Sequence, residues 1–173
     1  MSTDEQKSTA VSGQEYIRTE APYRDLGAGA QLLFSAKAKK GCTFEDIGKA
    51  IGRDEVWVAS VFYGQAIPTE NDIKGIADYL DLGVEGLSAE LKRSGFIHRG
   101  DLGPMPPKDP VIYRLYEGIM VYGYPIKSVI HEKFGDGIMS LIDCKVHVDR
   151  KPDPKGDRVL LTFDGKFLPY ATW

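Results

Sequence analysis

The segment "GFIHRGDLGPMPPKDP", residues 95–110, constrains the fold of this chain more than any other stretch. It holds four prolines and three glycines, the residue types that interrupt both helices and central strands. A regular element cannot run through it, so the chain must divide into a part before it and a part after it. We therefore expect an extended linker at residues 95–108 between two folded units, residues 25–94 and residues 109–173.

The unit before the linker has the pattern of a compact helical domain. Short apolar segments at helical spacing alternate with glycine-containing joints and with Thr or Asp residues suited to helix N-caps. Five short helices follow from this pattern, and the first runs from about Asp25 to a stop at Gly41. The second and third, in "TFEDIGKAIG" and "DEVWVASVFYG", have the arrangement of a helix-turn-helix, as in phage-repressor-like folds.

A helix-turn-helix regulator of DNA, with the later unit serving for dimerisation, is therefore one functional hypothesis. The charge distribution opposes it. Residues 25–94 hold more acidic than basic side chains, and the helix that would contact the bases has no Lys or Arg. The whole chain has a formal net charge of -3. Because DNA-binding proteins neutralise phosphates with cations, we expect no nucleic-acid partner.

The unit after the linker begins with an apolar helix. Asp109 is a suitable N-cap and Pro110 suits the first turn. The helical pattern halts at Gly123, and Pro125 begins a second predicted helix that ends before Gly135. Two helices thus precede the strands of this unit.

Two strands are predicted at the C-terminal end. Alternation of polar and apolar side chains from Lys145 predicts the first, and "RVLLTF" predicts the second, which stops at an Asp164–Gly165 turn. The fold class is therefore α+β: a five-helix bundle of repressor-like topology, followed by a small α/β dimerisation unit with a β-hairpin. Because two helices and a lone hairpin bury little apolar surface, we expect a second copy of the chain to complete this core.

Composition excludes several other classes. The chain is 42% hydrophobic and 27% charged, which is ordinary for a globular protein, and no apolar run approaches the roughly 18 residues of a membrane span. Residues 1–24 are polar, aperiodic and without an apolar signal core. We expect them to be a flexible tail, and we expect a cytoplasmic location without a membrane partner. The cysteines and histidines lack metal-ligand spacing, so we expect no metal site.

Three polar residues of the second unit are candidates for chemistry. Arg114 and Glu117 lie three residues apart in an apolar helix and therefore share a face. A surface ion pair of little energetic value is one interpretation; an anion site, with Arg114 as a planar donor, is the other. Ser140 follows the sharp turn at "GDG" in an apolar run, where its hydroxyl could bond a nearby carbonyl or face a ligand.

The motifs "YRLYE", "VYG", "HEKFGDGIMSLID" and "DGKFLP" strongly resemble the pattern of the cyanases, also called cyanate hydratases or cyanate lyases. The resemblance covers about residues 25–173 and is weakest in the first helices. In that pattern the catalytic Arg, Glu and Ser correspond to Arg114, Glu117 and Ser140.

The resemblance implies a reaction and an assembly. Cyanate and bicarbonate, the two expected small-molecule partners, would react to ammonia and carbon dioxide through carbamate, in a detoxification of cyanate. Bicarbonate is a co-substrate, and neither a metal nor an organic cofactor is implied. The implied assembly is a homodecamer, a ring of five dimers, with active sites between subunits.

Overall fold

The computed structural model describes residues 26–93, 99–100 and 103–172. The predicted tail, residues 1–24, lies outside the described residues, as do parts of the predicted linker. Six helices and two strands occur in the described part of the chain: α1 (Ala28–Lys40), α2 (Phe44–Ile51), α3 (Glu55–Phe62), α4 (Glu70–Tyr79), α5 (Val84–Arg93), α6 (Pro110–Phe134), β1 (Gly137–Lys151) and β2 (Arg158–Pro169). The α+β class is confirmed, with five short helices within residues 26–93.

Local sequence signals place the ends of the short helices. Thr43 and Thr69 cap α2 and α4, each through a capping box in which its hydroxyl accepts from the backbone N–H three residues on, at Asp46 or Asp72. Asp54 caps α3 by accepting from the N–H of Val56. These caps satisfy backbone donors that a helix leaves unpaired at its start, so five short helices can follow one another closely.

The apolar core lies within these five helices. Four rings, those of Phe34, Phe44, Phe62 and Tyr63, pack edge to face with centroid distances between 5.1 and 6.3 Å. Edge-to-face packing is the favourable geometry for aromatic pairs. Besides Phe62, the largest fully buried side chains of this core are Leu33, Ile47, Val58, Val61, Ile76 and Leu87.

Asp72 joins α4 to the turn between α2 and α3. Its carboxylate is buried, accepts from the backbone N–H and hydroxyl of Thr69, and accepts two further bonds from Arg53, at 2.9 and 3.1 Å. The Arg53 guanidinium and then Thr69 hold the pKa of this carboxyl below its ordinary value. The carboxylate thus serves both as a cap and as the partner of a charge.

Asp72→Ala is expected to lower the free energy of unfolding by about 2 kcal/mol or more, because it removes a cap and leaves Arg53 unpaired. Chemical denaturation monitored by circular dichroism would measure this. As the matched control, Asp78→Ala breaks the exposed pair with Lys74 and should change the value by less than about 1 kcal/mol. Equal losses in the two variants would contradict this role of Asp72.

The structure corrects the prediction of two helices after the linker. A single helix, α6, runs through both Gly123 and Pro125. Proline inside a helix removes one backbone bond, here to the carbonyl of Val121, but the apolar spacing continues across the proline. Pro125 was therefore a wrong helix start.

The strands also differ from the prediction. β1 begins at Gly137 rather than near Lys145, and β2 passes through Asp164 and Gly165 without turning. The two strands pair antiparallel, and their register shifts between Met139 and Cys144. Gly165, which predicted a turn, lies opposite a β-bulge in β1 instead. Glycine inside a strand often marks such a bulge.

A histidine connects the hairpin to the helical part. His147 on β1 lies 2.6 Å from Asp54 through Nδ1 and 3.2 Å from Asp149 through Nε2. An ionised carboxylate can accept a hydrogen bond but cannot donate one. An imidazole that donates to both Asp54 and Asp149 must therefore carry a proton on each nitrogen. Asp54, then Asp149, raise the pKa of His147, and Glu55 on α3 adds negative charge nearby.

This contact should weaken as the pH rises. A raised pKa in the folded state means that the stabilisation is complete below the unfolded value of about 6.5 and is lost as the pH passes the higher folded value. His147→Gln should therefore flatten the dependence of the unfolding midpoint on pH above about 6.5. Asp54→Asn, which keeps a capping side chain, should flatten this pH dependence as well. A pH dependence that is unchanged in both variants would refute the contact between His147 and Asp54.

Candidate functional site

Arg114 and Glu117 lie on the first part of α6 and face solvent within one chain. Asp109 starts this helix by accepting from the N–H groups of Val111 and Ile112, which places Arg114 and Glu117 one turn apart on one face. Nη1 of Arg114 donates to Oε2 of Glu117 at 2.5 Å, and the two side chains are 73% and 46% exposed. Glu117 raises the pKa of Arg114 further above its already high value, so the guanidinium stays charged.

The ion pair leaves most of the guanidinium free for an anion. Arginine has five N–H donors in a planar fork, and the bond to Glu117 uses one of them. Glu117 also restricts the orientation of the fork relative to the helix. The arrangement can therefore present two parallel donors to a small planar anion.

Ser140 is only 5% exposed, in contrast to the arginine. Its Oγ accepts from the backbone N–H of Ile142 at 3.1 Å and of Asp143 at 2.9 Å. A hydroxyl has two acceptor positions and one proton. Both acceptor positions are thus occupied by backbone donors, and what Ser140 can still offer to a bound molecule is its proton.

The bulge residues that hold Ser140 were missed by sequence reasoning. Ile142 and Asp143 contribute backbone N–H groups, which no side-chain motif reveals. The available signal was Gly165, a glycine between two apolar strand segments, which is as typical of a bulge as of a turn.

Within a single chain the three candidates do not form one hydrogen-bonded group. No hydrogen bond or ion pair among residues 26–93, 99–100 and 103–172 joins Ser140 to Arg114 or Glu117. An open cleft of about 1000 Å³ lies elsewhere, between α2, α3 and the hairpin, and none of the three lines it. Its arginines are paired with aspartates, for example Arg158 with Asp153 at 3.2 Å, so we do not assign it a ligand.

The described residues contain neither a metal-ligand cluster nor a membrane span. Within them, no three or more His, Cys, Asp or Glu side chains are grouped so as to hold a metal ion. No helix in the same part of the chain has the length and apolar character of a membrane span. The candidate site is therefore a set of charged and polar side chains on α6 and β1.

Comparison with known proteins identifies the class. Residues 104–172 match the family model described as the cyanate lyase C-terminal domain, which is the domain of a carbon–nitrogen lyase. Over 142 residues the chain is 64% identical to a cyanate hydratase of Coprinopsis cinerea, covering 82% of this chain and 93% of the relative. It is 52% identical to a cyanate hydratase of Prochlorococcus marinus, covering 83% and 95%. The chain belongs to the cyanate hydratase family.

The fold agrees with this assignment. The crystal structure of cyanase from T. urticae superposes with a TM-score of 0.72 at 36% sequence identity, covering 82% of this chain and 97% of that chain. The resemblance predicted from "YRLYE" and "GDGIMS" is thereby confirmed at the level of the family, and the chain is an enzyme of the carbon–nitrogen lyase class.

Proposed function

We propose that the protein decomposes cyanate in a bicarbonate-dependent reaction that yields ammonia and carbon dioxide through carbamate, and so detoxifies cyanate. The relatives named cyanate hydratase support the substrate. The observation that carries the proposal is the exposed guanidinium of Arg114, oriented by Glu117 in the first half of α6, where every other charged side chain is absent. A fixed, permanently charged fork on such a surface suits small planar anions.

The chemistry requires that two anions meet. An oxygen of bicarbonate attacks the carbon of cyanate, and the bicarbonate proton passes to the cyanate nitrogen. The adduct carries both negative charges until the nitrogen takes up a second proton, which comes from the medium. Breakdown of the adduct releases carbon dioxide and carbamate, and carbamate takes up a proton and decomposes to ammonia and a second carbon dioxide. Arg114 would offset the repulsion and stabilise the charge of the adduct, and holding both anions together supplies much of the rate.

Glu117 and Ser140 have complementary roles in this proposal. Ser140 donates its hydroxyl proton in a hydrogen bond to a substrate oxygen or nitrogen, because both acceptor positions of the hydroxyl are occupied. Glu117 orients Arg114 or passes a proton to the nitrogen. Neither step calls on a metal or an organic cofactor, and bicarbonate acts as co-substrate.

We further propose a homodecamer, a ring of five dimers, with active sites between subunits. No residue of α6 is buried within one chain, although this helix has a high apolar content, and the hairpin exposes Leu141 and Ile142. Apolar surfaces of this extent mark protein interfaces. Assembly would also bring Ser140 of one subunit towards Arg114 of another.

The free thiols of Cys42 and Cys144 support a reducing, cytoplasmic location.

A role as a DNA-binding regulator is disfavoured by a specific contact. In a helix-turn-helix the N-terminal residues of the second helix contact the bases. Here that helix is α3, and its cap, Asp54, is engaged by His147 of the hairpin. The part of α3 that would enter a groove therefore faces the protein's own strand.

The proposed function is tested by ammonia release from cyanate with and without bicarbonate. We expect release that depends on both anions and two molecules of carbon dioxide per ammonia. Carbon-13 label in bicarbonate should appear in one of the two. Ammonia release that is independent of bicarbonate, or no release from cyanate, would refute the proposal.

A further inference from the structure

The bulge in β1 lies against one short stretch of β2. Met139 pairs with Phe167, and the next paired residue, Cys144, lies opposite Gly165. Residues 140–143 of β1 therefore face Lys166 alone. The extra residues loop out of the ladder, and this loop carries Ser140 together with the two N–H groups that bond its hydroxyl.

Gly165 lies directly beneath this loop. A Cβ atom built on Gly165 would collide with the carbonyl oxygen of Ser140 and would lie 2.6 Å from Cγ of Met139. The methionine is flexible and could move, but the carbonyl belongs to the backbone of Ser140. The absence of a side chain at residue 165 is therefore what allows the Ser140 peptide to lie against β2.

We propose that Gly165 is a positioning residue for the lyase reaction. Because Gly165 has no side chain, the Ser140 peptide can lie against β2. In that position the two bulge N–H groups bond the Ser140 hydroxyl, and the hydroxyl proton points towards the substrate. The inference rests on the proposed function, because it assumes that Ser140 contacts the reacting anions. Gly165 itself contacts no substrate and acts through Ser140.

Gly165→Ala should displace the Ser140 carbonyl and with it the hydroxyl. A shift of about 1 Å in a group that contacts the transition state lowers turnover by about a hundredfold. We expect kcat to fall by about that factor and KM for bicarbonate to change less, since Arg114 is untouched. The assembly should keep its native size in gel filtration.

A double-mutant cycle with Ser140→Ala separates positioning from general damage to the hairpin. If Gly165 acts through Ser140, Gly165→Ala should change turnover by less than about twofold once the hydroxyl is absent. Losses that multiply in the double variant would overturn the role of Gly165 and leave the proposed function standing. Native turnover by Ser140→Ala alone would overturn the proposed role of Ser140 and, with it, that of Gly165.

The matched control is Gly86→Ala. Gly86 lies in α5 with open space around a Cβ, so this variant should keep native kcat and assembly. Gly165→Ala with native kcat would overturn the inference directly.

Asp143→Pro provides a second approach if Gly165→Ala fails to assemble. The side chain of Asp143 is polar and exposed, so its loss removes no apolar interface surface. Its N–H donates to Ser140 at 2.9 Å, and proline removes that donor from a bulge, where proline is tolerated. We expect about a tenfold loss of kcat, corresponding to one hydrogen bond of about 1.4 kcal/mol, and less than about a twofold change in the Ser140→Ala background. Equal losses of kcat in the native and the Ser140→Ala backgrounds would show that the bulge N–H groups do not position Ser140.

Discussion

Arg114→Lys is expected to lower bicarbonate-dependent ammonia release by about a hundred- to a thousandfold, or about 3 to 4 kcal/mol, while the assembly stays intact. Lysine keeps the charge but loses the planar fork that engages two oxygens at once. In the proposed reaction that fork must hold two anions while negative charge accumulates on their adduct. Steady-state ammonia release by the variant, with its size checked by gel filtration, measures the effect.

The alternative interpretation of Arg114 makes a different quantitative prediction. If the pair with Glu117 were a simple surface ion pair, the substitution would change stability by less than about 1 kcal/mol and leave turnover alone. Arg158→Lys serves as the control, because Arg158 also pairs with a carboxylate, Asp153, on the hairpin. Near-native turnover by an intact Arg114→Lys oligomer would contradict the assignment of Arg114 to the active site.

The helical part of this chain was predictable because its signals are local. Thr43 and Thr69 carry their capping partners three residues away, and Gly41 and Gly52 end α1 and α2 in the left-handed conformation that glycine adopts at little cost. Each signal acts within one turn of the chain. Burial of apolar side chains in the core then stabilises the same helices.

The second unit was harder to predict because its decisive contacts are distant in sequence or lie outside one chain. Pro125 favours a helix start locally, yet α6 continues through it. Gly165 favours a turn locally, yet its position beneath Ser140 selects a bulge. The spacing of Arg114 and Glu117 was sufficient to predict their ion pair, whereas the hydrogen bonds of Ser140 depend on a register that only cross-strand packing determines.

One face of α6 carries an apolar stripe that a single chain leaves uncovered. Its members recur at intervals of three or four residues, the spacing of one helical face. They are Val111, Leu115, Ile119, Tyr122, Ile126 and Val129, all exposed within one chain. Arg114 and Glu117 do not belong to the stripe and lie to one side of it on the helix. A subunit interface on the stripe could therefore form without covering the pair.

Ile119→Asp should dissociate the assembly and abolish turnover. A carboxylate in the middle of an apolar interface costs several kcal/mol, because it loses its hydration without gaining a partner. Sites built between subunits would be lost together with the interface. Light scattering should show a species far below the mass of the proposed decamer of this 19.2 kDa chain, and ammonia release should fall to background.

The control for this prediction is Ile67→Asp. Ile67 lies outside the helices and is 67% exposed, against 63% for Ile119, so exposure within one chain does not distinguish the two residues. Ile67 does not belong to the stripe on α6, and its substitution should leave both mass and turnover unchanged. An Ile119→Asp variant that stays assembled and active would show that the stripe is not the interface, whereas an active monomer would show that one chain holds a complete site.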